Sequence, residues 1–84
     1  MPDHPHVEIA KRLKRANGHL ETIIAMIEKG RPCAQIAQQL QAVEGAIENA
    51  KKALIHDHFS HSLQASGTRA NALLRDFKLI AKYL

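Results

Sequence analysis

The feature that most constrains this fold is the segment from Cys33 to Leu63, which has no proline and carries its apolar residues at helical spacing. Residues that recur three and four positions apart lie on one face of an α-helix. The segment therefore predicts a single long helix over about residues 33–63. Its apolar stripe consists of Ile36, Leu40, Val43, Ile47, Ala50 and Leu54.

A shorter helix is predicted on each side of this segment. The first runs from about Val7 to Lys29 and ends at Gly30-Arg31-Pro32. Glycine favours the position just past a helix end, and proline favours the start of the next helix. The third helix runs from about Arg69 to Lys82, after a break at Ser66-Gly67-Thr68 in which Ser66 or Thr68 is a candidate N-cap.

These three segments predict an all-α fold, because no stretch alternates apolar and polar residues as a half-buried strand would. A single domain spans residues 1–84, with residues 1–6 as a flexible arm. Helices 1 and 2 form an antiparallel hairpin. Two apolar stripes in one hairpin cannot cover each other fully, so two hairpins are expected to pack as a four-helix bundle. Helix 3 then caps the bundle or contacts another dimer, which would give a dimer of dimers.

The only cysteine, Cys33, lies at one end of the long stripe, and His58 and His61 lie at the other. At about 1.5 Å rise per residue, Cys33 and His58 are roughly 37 Å apart along one helix, so one chain cannot bring them together unless the helix breaks. Two antiparallel copies can. The midpoint of such a pairing falls at Gly45–Ala46, where small residues would let two backbones approach: Ala42, Gly45, Ala46 and Ala50.

A thiolate beside imidazoles predicts a transition-metal site shared between subunits. Cys33, His58 and His61 are the candidate ligands, and His4 and His6 of the arm could fold over as further ones. This mixed set suits nickel, cobalt or zinc better than copper(I), which prefers more sulfur. The alternative is that the cysteine is small buried filler and the histidines are ordinary helix-surface residues.

The charge balance indicates a polyanionic partner. Twelve Lys and Arg against eight Asp and Glu give a net charge of +4, which favours DNA or RNA. Three aromatic residues are too few for single-strand stacking platforms. The alternative is a soluble protein that happens to be basic. No segment is apolar enough to span a membrane and the N-terminus does not resemble a signal peptide, so a cytoplasmic protein is expected.

Two clusters of basic residues form the candidate DNA-binding surface. In an antiparallel hairpin that turns near Gly30–Pro32, residue 12 lies near residue 50, so the clusters can share a surface able to neutralise several phosphates. Its members are Lys11, Arg12, Lys14, Arg15, Lys51 and Lys52. The alternative is a solvated basic face. No catalytic constellation is visible, so an enzyme is not expected.

Several motifs make the chain similar to the CsoR/RcnR/FrmR group of bacterial transcriptional repressors. They are Arg12-Leu13-Lys14-Arg15, Gly18-His19-Leu20, Cys33, Gln38-Gln39-Leu40 with Ala42-Val43, and His56-Asp57-His58. The resemblance implies helical dimers that assemble into flat tetramers, bind operator DNA without ligand and release it when ligand binds at the dimer site.

The same resemblance implies a ligand set of Cys33, His58 of the other chain, and a Cys or His at the position of Ser62. The serine removes the second thiolate of copper sites, and His61 could substitute. An N-terminal histidine joins in nickel and cobalt members, a role open to His4 or His6. The resemblance also implies that Arg12 contacts DNA and that Lys52 occupies a basic position of helix 2.

Two other functions stay open. Formaldehyde-responsive members of the group pair an N-terminal proline with the helix-2 cysteine, and this chain has both Pro2 and Cys33. If Met1 is removed, one carbon from an aldehyde can bridge the Pro2 amine and the Cys33 thiolate. From another class, the chain could be a helical scaffold or interaction protein without a DNA role.

Overall fold

Three α-helices, as predicted, make up the part of the chain that the structure describes. The computed structural model describes residues 6–66 and 70–84, apart from the side chains of residues 63–66. Helix α1 spans Val7–Glu28, α2 spans Cys33–Ser66 and α3 spans Ala70–Ala81. No strand occurs within these described ranges. The all-α prediction is therefore confirmed, and α2 runs three residues further than expected.

The turn between α1 and α2 forms as glycine and proline predict. Gly30 has a φ of +71°, the left-handed region that favours glycine. Its neighbour Arg31 donates its backbone N–H to the carbonyl of Met26, which closes the end of α1. At the start of α2, the carbonyl of Pro32 accepts the N–H groups of Gln35 and Ile36. The predicted capping residues Ser66 and Thr68 lie outside the described side chains.

The core lies between α1 and α2, which pack antiparallel. Seven-residue spacing brings Ile9, Ala16 and Ile23 of α1 to one face. They are buried together with Val43, Ala50 and Ile55 of α2. Ile23 is only 1% exposed. A bond from the Nε2–H of His19 to Oε1 of Gln39, 2.6 Å long, ties the two helices together near the turn.

A second apolar stripe stays exposed on the hairpin. Its side chains are between 37% and 54% exposed, so one chain does not cover them. They are Leu13, Leu20, Ile24 and Ile27 of α1 and Leu40, Ile47 and Leu54 of α2. Ala50, which the sequence placed at a seam between chains, is 1% exposed and covered by the hairpin itself. That part of the seam prediction is wrong, because Ala50 faces α1.

Helix α3 is attached to the far part of α2 by few contacts. None of its described residues is buried. The rings of Phe59 and Phe77 lie 5.5 Å apart, and the side chain of His58 is hydrogen-bonded to Asp76. Among the helices described, none combines the length and the apolar character that a membrane crossing requires.

Candidate metal centre and nucleic-acid interface

Cys33 is an exposed free thiol in the first position of α2. Because α2 is unbroken as far as Ser66, His58 and His61 lie well along the same helix from it. Within the described part of one chain, no three His, Cys, Asp or Glu side chains gather closely enough to hold a metal ion. The predicted ligands are therefore present but are not brought together by a single chain.

Five α2 residues at intervals of seven form what we call the heptad row: Cys33, Leu40, Ile47, Leu54 and His61. Seven residues are just under two helical turns, so the row follows one face of the helix. Every member is exposed. The thiol and an imidazole thus lie at the two ends of an uncovered apolar face, with Ile47 at its midpoint.

His58 lies beside this row but is oriented by α3. Its Nε2 is hydrogen-bonded to Oδ2 of Asp76, and its ring makes an edge contact with Phe59 at 5.0 Å between centroids. A neutral imidazole that donates from Nε2 keeps Nδ1 as its acceptor nitrogen. Metal-binding histidines commonly donate their second ring N–H to a carboxylate in this way. Sequence reasoning missed Asp76, since no spacing rule connects it to His58.

The other predicted ligands have separate surroundings. His6 lines a cavity of about 360 Å³ that His58, Lys51 and Tyr83 also line, so the end of the arm approaches the His58–Asp76 pair. His61 is exposed. Pro2 and His4 lie outside the described residues.

A second concave region, the basic groove, crosses from α1 to α2. It has a volume of about 440 Å³. It is lined by Arg12, Arg15, Ala16, His19, Ala46 and Asn49. The groove contains two of the six residues predicted to bind DNA, and its α2 wall is formed by residues that the sequence did not suggest.

The predicted lysines differ from these arginines in their surroundings. Lys11 pairs with Glu8 at 3.5 Å, and Glu48 lies 3.2 Å from Lys51 and 4.0 Å from Lys52. Lys51 lines the His6 cavity rather than the basic groove. The two sequence clusters are therefore close along the hairpin, but Lys51 is turned to a different side of α2.

Comparison with known proteins places the chain among transcriptional repressors, which are not enzymes. More narrowly, it belongs to the family described as metal-sensitive transcriptional repressor, whose profile matches residues 6–82. The predicted family resemblance is thereby confirmed, and so is the expectation that the chain is not an enzyme.

Three curated relatives show what the chain is similar to. The copper-sensing transcriptional repressor CsoR of Mycobacterium ulcerans (strain Agy99) is 38% identical over 66% of this chain and 47% of its own length. CsoR of Bacillus subtilis (strain 168) is 39% identical over 64% of this chain and 54% of its own. The copper-sensing transcriptional repressor RicR of Mycobacterium tuberculosis (strain ATCC 25618 / H37Rv) is 36% identical over 62% of this chain and 54% of its own length. The chain thus spans about half the length of these relatives. No solved structure matches it significantly.

Proposed function

We propose that this chain is a DNA-binding repressor that releases its operator when a nickel or cobalt ion binds between two subunits. The single observation that supports this most is the heptad row, which leaves a thiol and an imidazole at opposite ends of an exposed apolar face. The metal ion is the inducer in this proposal, and the DNA is double-stranded operator.

An antiparallel dimer explains why this face is apolar. If two copies of α2 pair about Ile47, Cys33 lies opposite the partner's His61, and Leu40 lies opposite the partner's Leu54. The pairing would cover side chains that are now 39% to 48% exposed along α2. Fully burying such a side chain stabilises by about 1.5–3 kcal/mol. Because these side chains are already about half buried, covering the rest would contribute roughly 1 kcal/mol for each side chain. Two such dimers would form the tetramer that the resemblance implies.

The donor atoms favour nickel or cobalt, with zinc next, although the relatives named above sense copper. Cys33 supplies one thiolate, and position 62, where the resemblance implies the second thiolate of copper sites, is a serine. His61 and the free Nδ1 of His58 supply imidazole nitrogen, and His6 lines the adjoining cavity. One sulfur among several nitrogens suits borderline divalent ions better than copper(I). When bound, such an ion would supply a link between the start of one α2 and the far part of the other.

Release of DNA requires that the ion bind more tightly to the conformation with low DNA affinity. Coupling free energies between two sites are typically about 1–3 kcal/mol. A link between two α2 helices can provide this coupling by changing how the hairpins cross, because each hairpin carries its own basic groove.

The test is a titration of reduced, metal-free protein bound to its own upstream promoter DNA, followed by fluorescence anisotropy. Nickel, cobalt, zinc, copper(I) and formaldehyde are added separately. We expect release by nickel or cobalt and loss of that release in Cys33→Ala. His56→Ala is the matched control, since the His56 side chain is 81% exposed and, among the described residues, pairs with the carboxylate of Asp57. Release by copper(I) alone would overturn the choice of ion, and release by formaldehyde alone would move the function to aldehyde sensing through Pro2 and Cys33.

Mixing two inactive chains tests whether the site is shared. Cys33→Ala and His61→Ala chains should each fail to bind the ion. A mixed dimer should regain one of its two sites, because that site combines the intact Cys33 of one chain with the intact His61 of the other. Metal binding measured by competition with a chromogenic chelator reports this recovery. If mixing restores nothing, the ligands do not come from different subunits. Failure of the wild-type protein to bind promoter DNA at low salt would instead favour a scaffold protein.

A further inference from the structure

The His6 cavity lies where the start of α1, the far part of α2 and the end of α3 meet. Its volume of about 360 Å³ is within the range of small-molecule sites, roughly 300–1,000 Å³. It is lined by His6, Lys51, Leu54, Ile55, His58, Ile80 and Tyr83. Lys51 lies about 200° around α2 from Asn49 of the basic groove, so the cavity is a separate site.

The walls of the cavity are largely apolar. Ile55 is only 8% exposed, whereas Leu54 and Tyr83, at 39% and 55%, leave much of their apolar surface uncovered. Removing such surface from water is favourable. Ligand pockets typically combine apolar walls with a few polar groups that fix the orientation of the ligand. The walls therefore favour an occupant with an apolar body.

The unpaired polar character of the cavity is positive. Lys51 lines it, and the ammonium group of Lys82 lies 5.2 Å from the centroid of the Tyr83 ring. Among the described residues that line the cavity, none carries a carboxylate. The Tyr83 hydroxyl is a further hydrogen-bond donor. These groups are complementary to an anion that also has an apolar body.

Two carboxylates close to the cavity already have partners of their own. Asp76 is hydrogen-bonded to His58, and Glu48 lies 3.2 Å from Lys51 and 4.0 Å from Lys52. The side chains of Lys51 and Glu48 are 39% and 46% exposed, and ion pairs in contact with solvent contribute little to stability. Lys51 can therefore exchange Glu48 for the carboxylate of a ligand at small cost.

The cavity keeps most of its walls in the proposed dimer. Leu54 belongs to the heptad row, but the next residue, Ile55, points about 100° away from it around α2. A dimer formed through the row would cover the Leu54 side of the cavity. Ile55, Ile80 and Tyr83 would still form a pocket.

We infer that the His6 cavity binds the anion of a small monocarboxylic acid, with the carboxylate at Lys51 and the apolar body against Ile55, Ile80 and Tyr83. Binding requires neither DNA nor a metal ion, so the inference goes beyond the proposed function and does not depend on it. The ligand would contact both α2 and α3. It would therefore stabilise α3 against local opening, because a ligand that binds the closed form favours that form.

Titration of the metal-free, full-length protein with hexanoate, followed by NMR, tests the cavity. We expect saturable shifts of the backbone amide signals of Ile55, Ile80 and Tyr83. Hexanamide, which has the same body without the charge, and acetate, which has the charge without the body, are the control ligands. Each should bind about tenfold more weakly or worse. If hexanamide binds as tightly as hexanoate, the cavity does not recognise a carboxylate and the inference is wrong.

Lys51→Met tests the contact with the carboxylate. It removes the ammonium group and keeps a long apolar side chain, so it should weaken hexanoate binding about tenfold or more. Lys52→Met is the matched control, since Lys52 also lies near Glu48 but is outside the cavity. Equal weakening by the two substitutions would show that general positive charge attracts hexanoate, and would overturn the contact at Lys51.

Ile80→Phe tests the apolar wall by placing a larger side chain in the cavity. It should abolish hexanoate binding. Leu79→Phe makes a comparable change at the adjacent position, which is 67% exposed and outside the cavity, and should leave binding intact. Circular dichroism checks that both variants stay helical. If Ile80→Phe binds hexanoate as the wild type does, the ligand lies elsewhere.

The same titration separates other occupants of the cavity. Hexanoate should slow amide hydrogen exchange within Ala70–Ala81. Shifts confined to the heptad row would mean that hexanoate coats the exposed apolar face as a detergent does. If the signals of Ile80 and Tyr83 shift when the ligand-free protein is diluted, a second copy of the chain covers the cavity. Either of these two results would overturn the inference.

Discussion

The two contacts that α2 makes, with α1 and with α3, are built in different ways. Against α1, apolar side chains from both helices are buried, and Ile23, at 1% exposure, is the largest fully buried side chain. Against α3, none of the described α3 residues is buried, and the contacts include the ring pair of Phe59 with Phe77 and the hydrogen bond from His58 to Asp76. The first contact is maintained by packing, whereas the second depends on a few specific groups.

This difference matters because a proposed metal ligand lies in the weaker contact. The side chain of His58 in α2 is hydrogen-bonded to Asp76 of α3 and is 38% exposed. The basic groove, in contrast, lies across the well-packed hairpin. Segments with few buried contacts open locally at low free-energy cost. The ligand site can thus rearrange with α3 while the hairpin retains the geometry of the groove.

The largest effect that tests this contrast is expected from Ile23→Ala. Removing a fully enclosed isoleucine side chain costs about 2–5 kcal/mol, because both its transfer free energy and the cavity left behind count against the fold. Urea unfolding followed by circular dichroism should show the loss. Variant and wild type must be compared at equal protein concentration, since association would add to apparent stability.

Ile27→Ala serves as the matched control, because Ile27 is on the same helix but is 54% exposed. It should cost less than Ile23→Ala. Equal losses would mean that burial within one hairpin does not decide the stability and that a partner chain covers Ile27 as completely as α2 covers Ile23.

Positions along the helix axes could be predicted from the sequence. Gly30 and Pro32 correctly predicted the turn and the start of α2 at Cys33, and the apolar spacing correctly predicted that the segment after it is one helix. The extension of α2 to Ser66 was missed, because Gln64 and Ala65 are good helix formers that the apolar stripe did not include. Propensity and apolar periodicity are local properties, so they need no knowledge of the tertiary fold.

Rotation about the helix axes could not be predicted as well. Arg12 was expected near residue 50 of α2. It does line a groove with two α2 residues close to that position along the helix, Ala46 and Asn49. Lys51 is only two positions after Asn49, yet those two positions turn it about 200° around the helix, to the His6 cavity. The bond from His58 to Asp76 was also beyond prediction, because it depends on how α3 folds back. The metal ligands themselves stay predictions.

An intermediate effect is expected from Asp76→Asn, measured as metal affinity by chelator competition. Loss of the carboxylate that orients a ligating histidine typically lowers metal affinity about 10–100-fold. The amide oxygen can still accept the hydrogen bond from Nε2, so the helices should remain folded. Stability should change by less than about 1 kcal/mol, because both side chains are more than one-third exposed and solvent screens the pair.

Asp57→Asn is the control for this substitution. Asp57 also lies near an imidazole, 3.7 Å from His56, and adjoins His58 in the sequence. It should leave metal affinity nearly unchanged. If Asp57→Asn and Asp76→Asn weaken binding equally, the effect comes from the loss of a nearby negative charge in general and not from the specific contact of Asp76 with His58.

The smallest effect is expected from Phe77→Ala, which tests the α3 side of the comparison directly. The Phe77 ring packs on Phe59 and is still 45% exposed, and an aromatic pair of this kind contributes about 0.5–1.5 kcal/mol beyond its buried area. Its loss should loosen α3 and spare the hairpin. Amide hydrogen exchange should therefore become faster within Ala70–Ala81 and stay unchanged around Ala16 and Ile23.

Leu79→Ala, in the same helix at a position that is 67% exposed, should change neither region. Faster exchange throughout the chain in Phe77→Ala would show that α3 and the hairpin unfold as one unit, and the contrast between the two contacts would then be wrong.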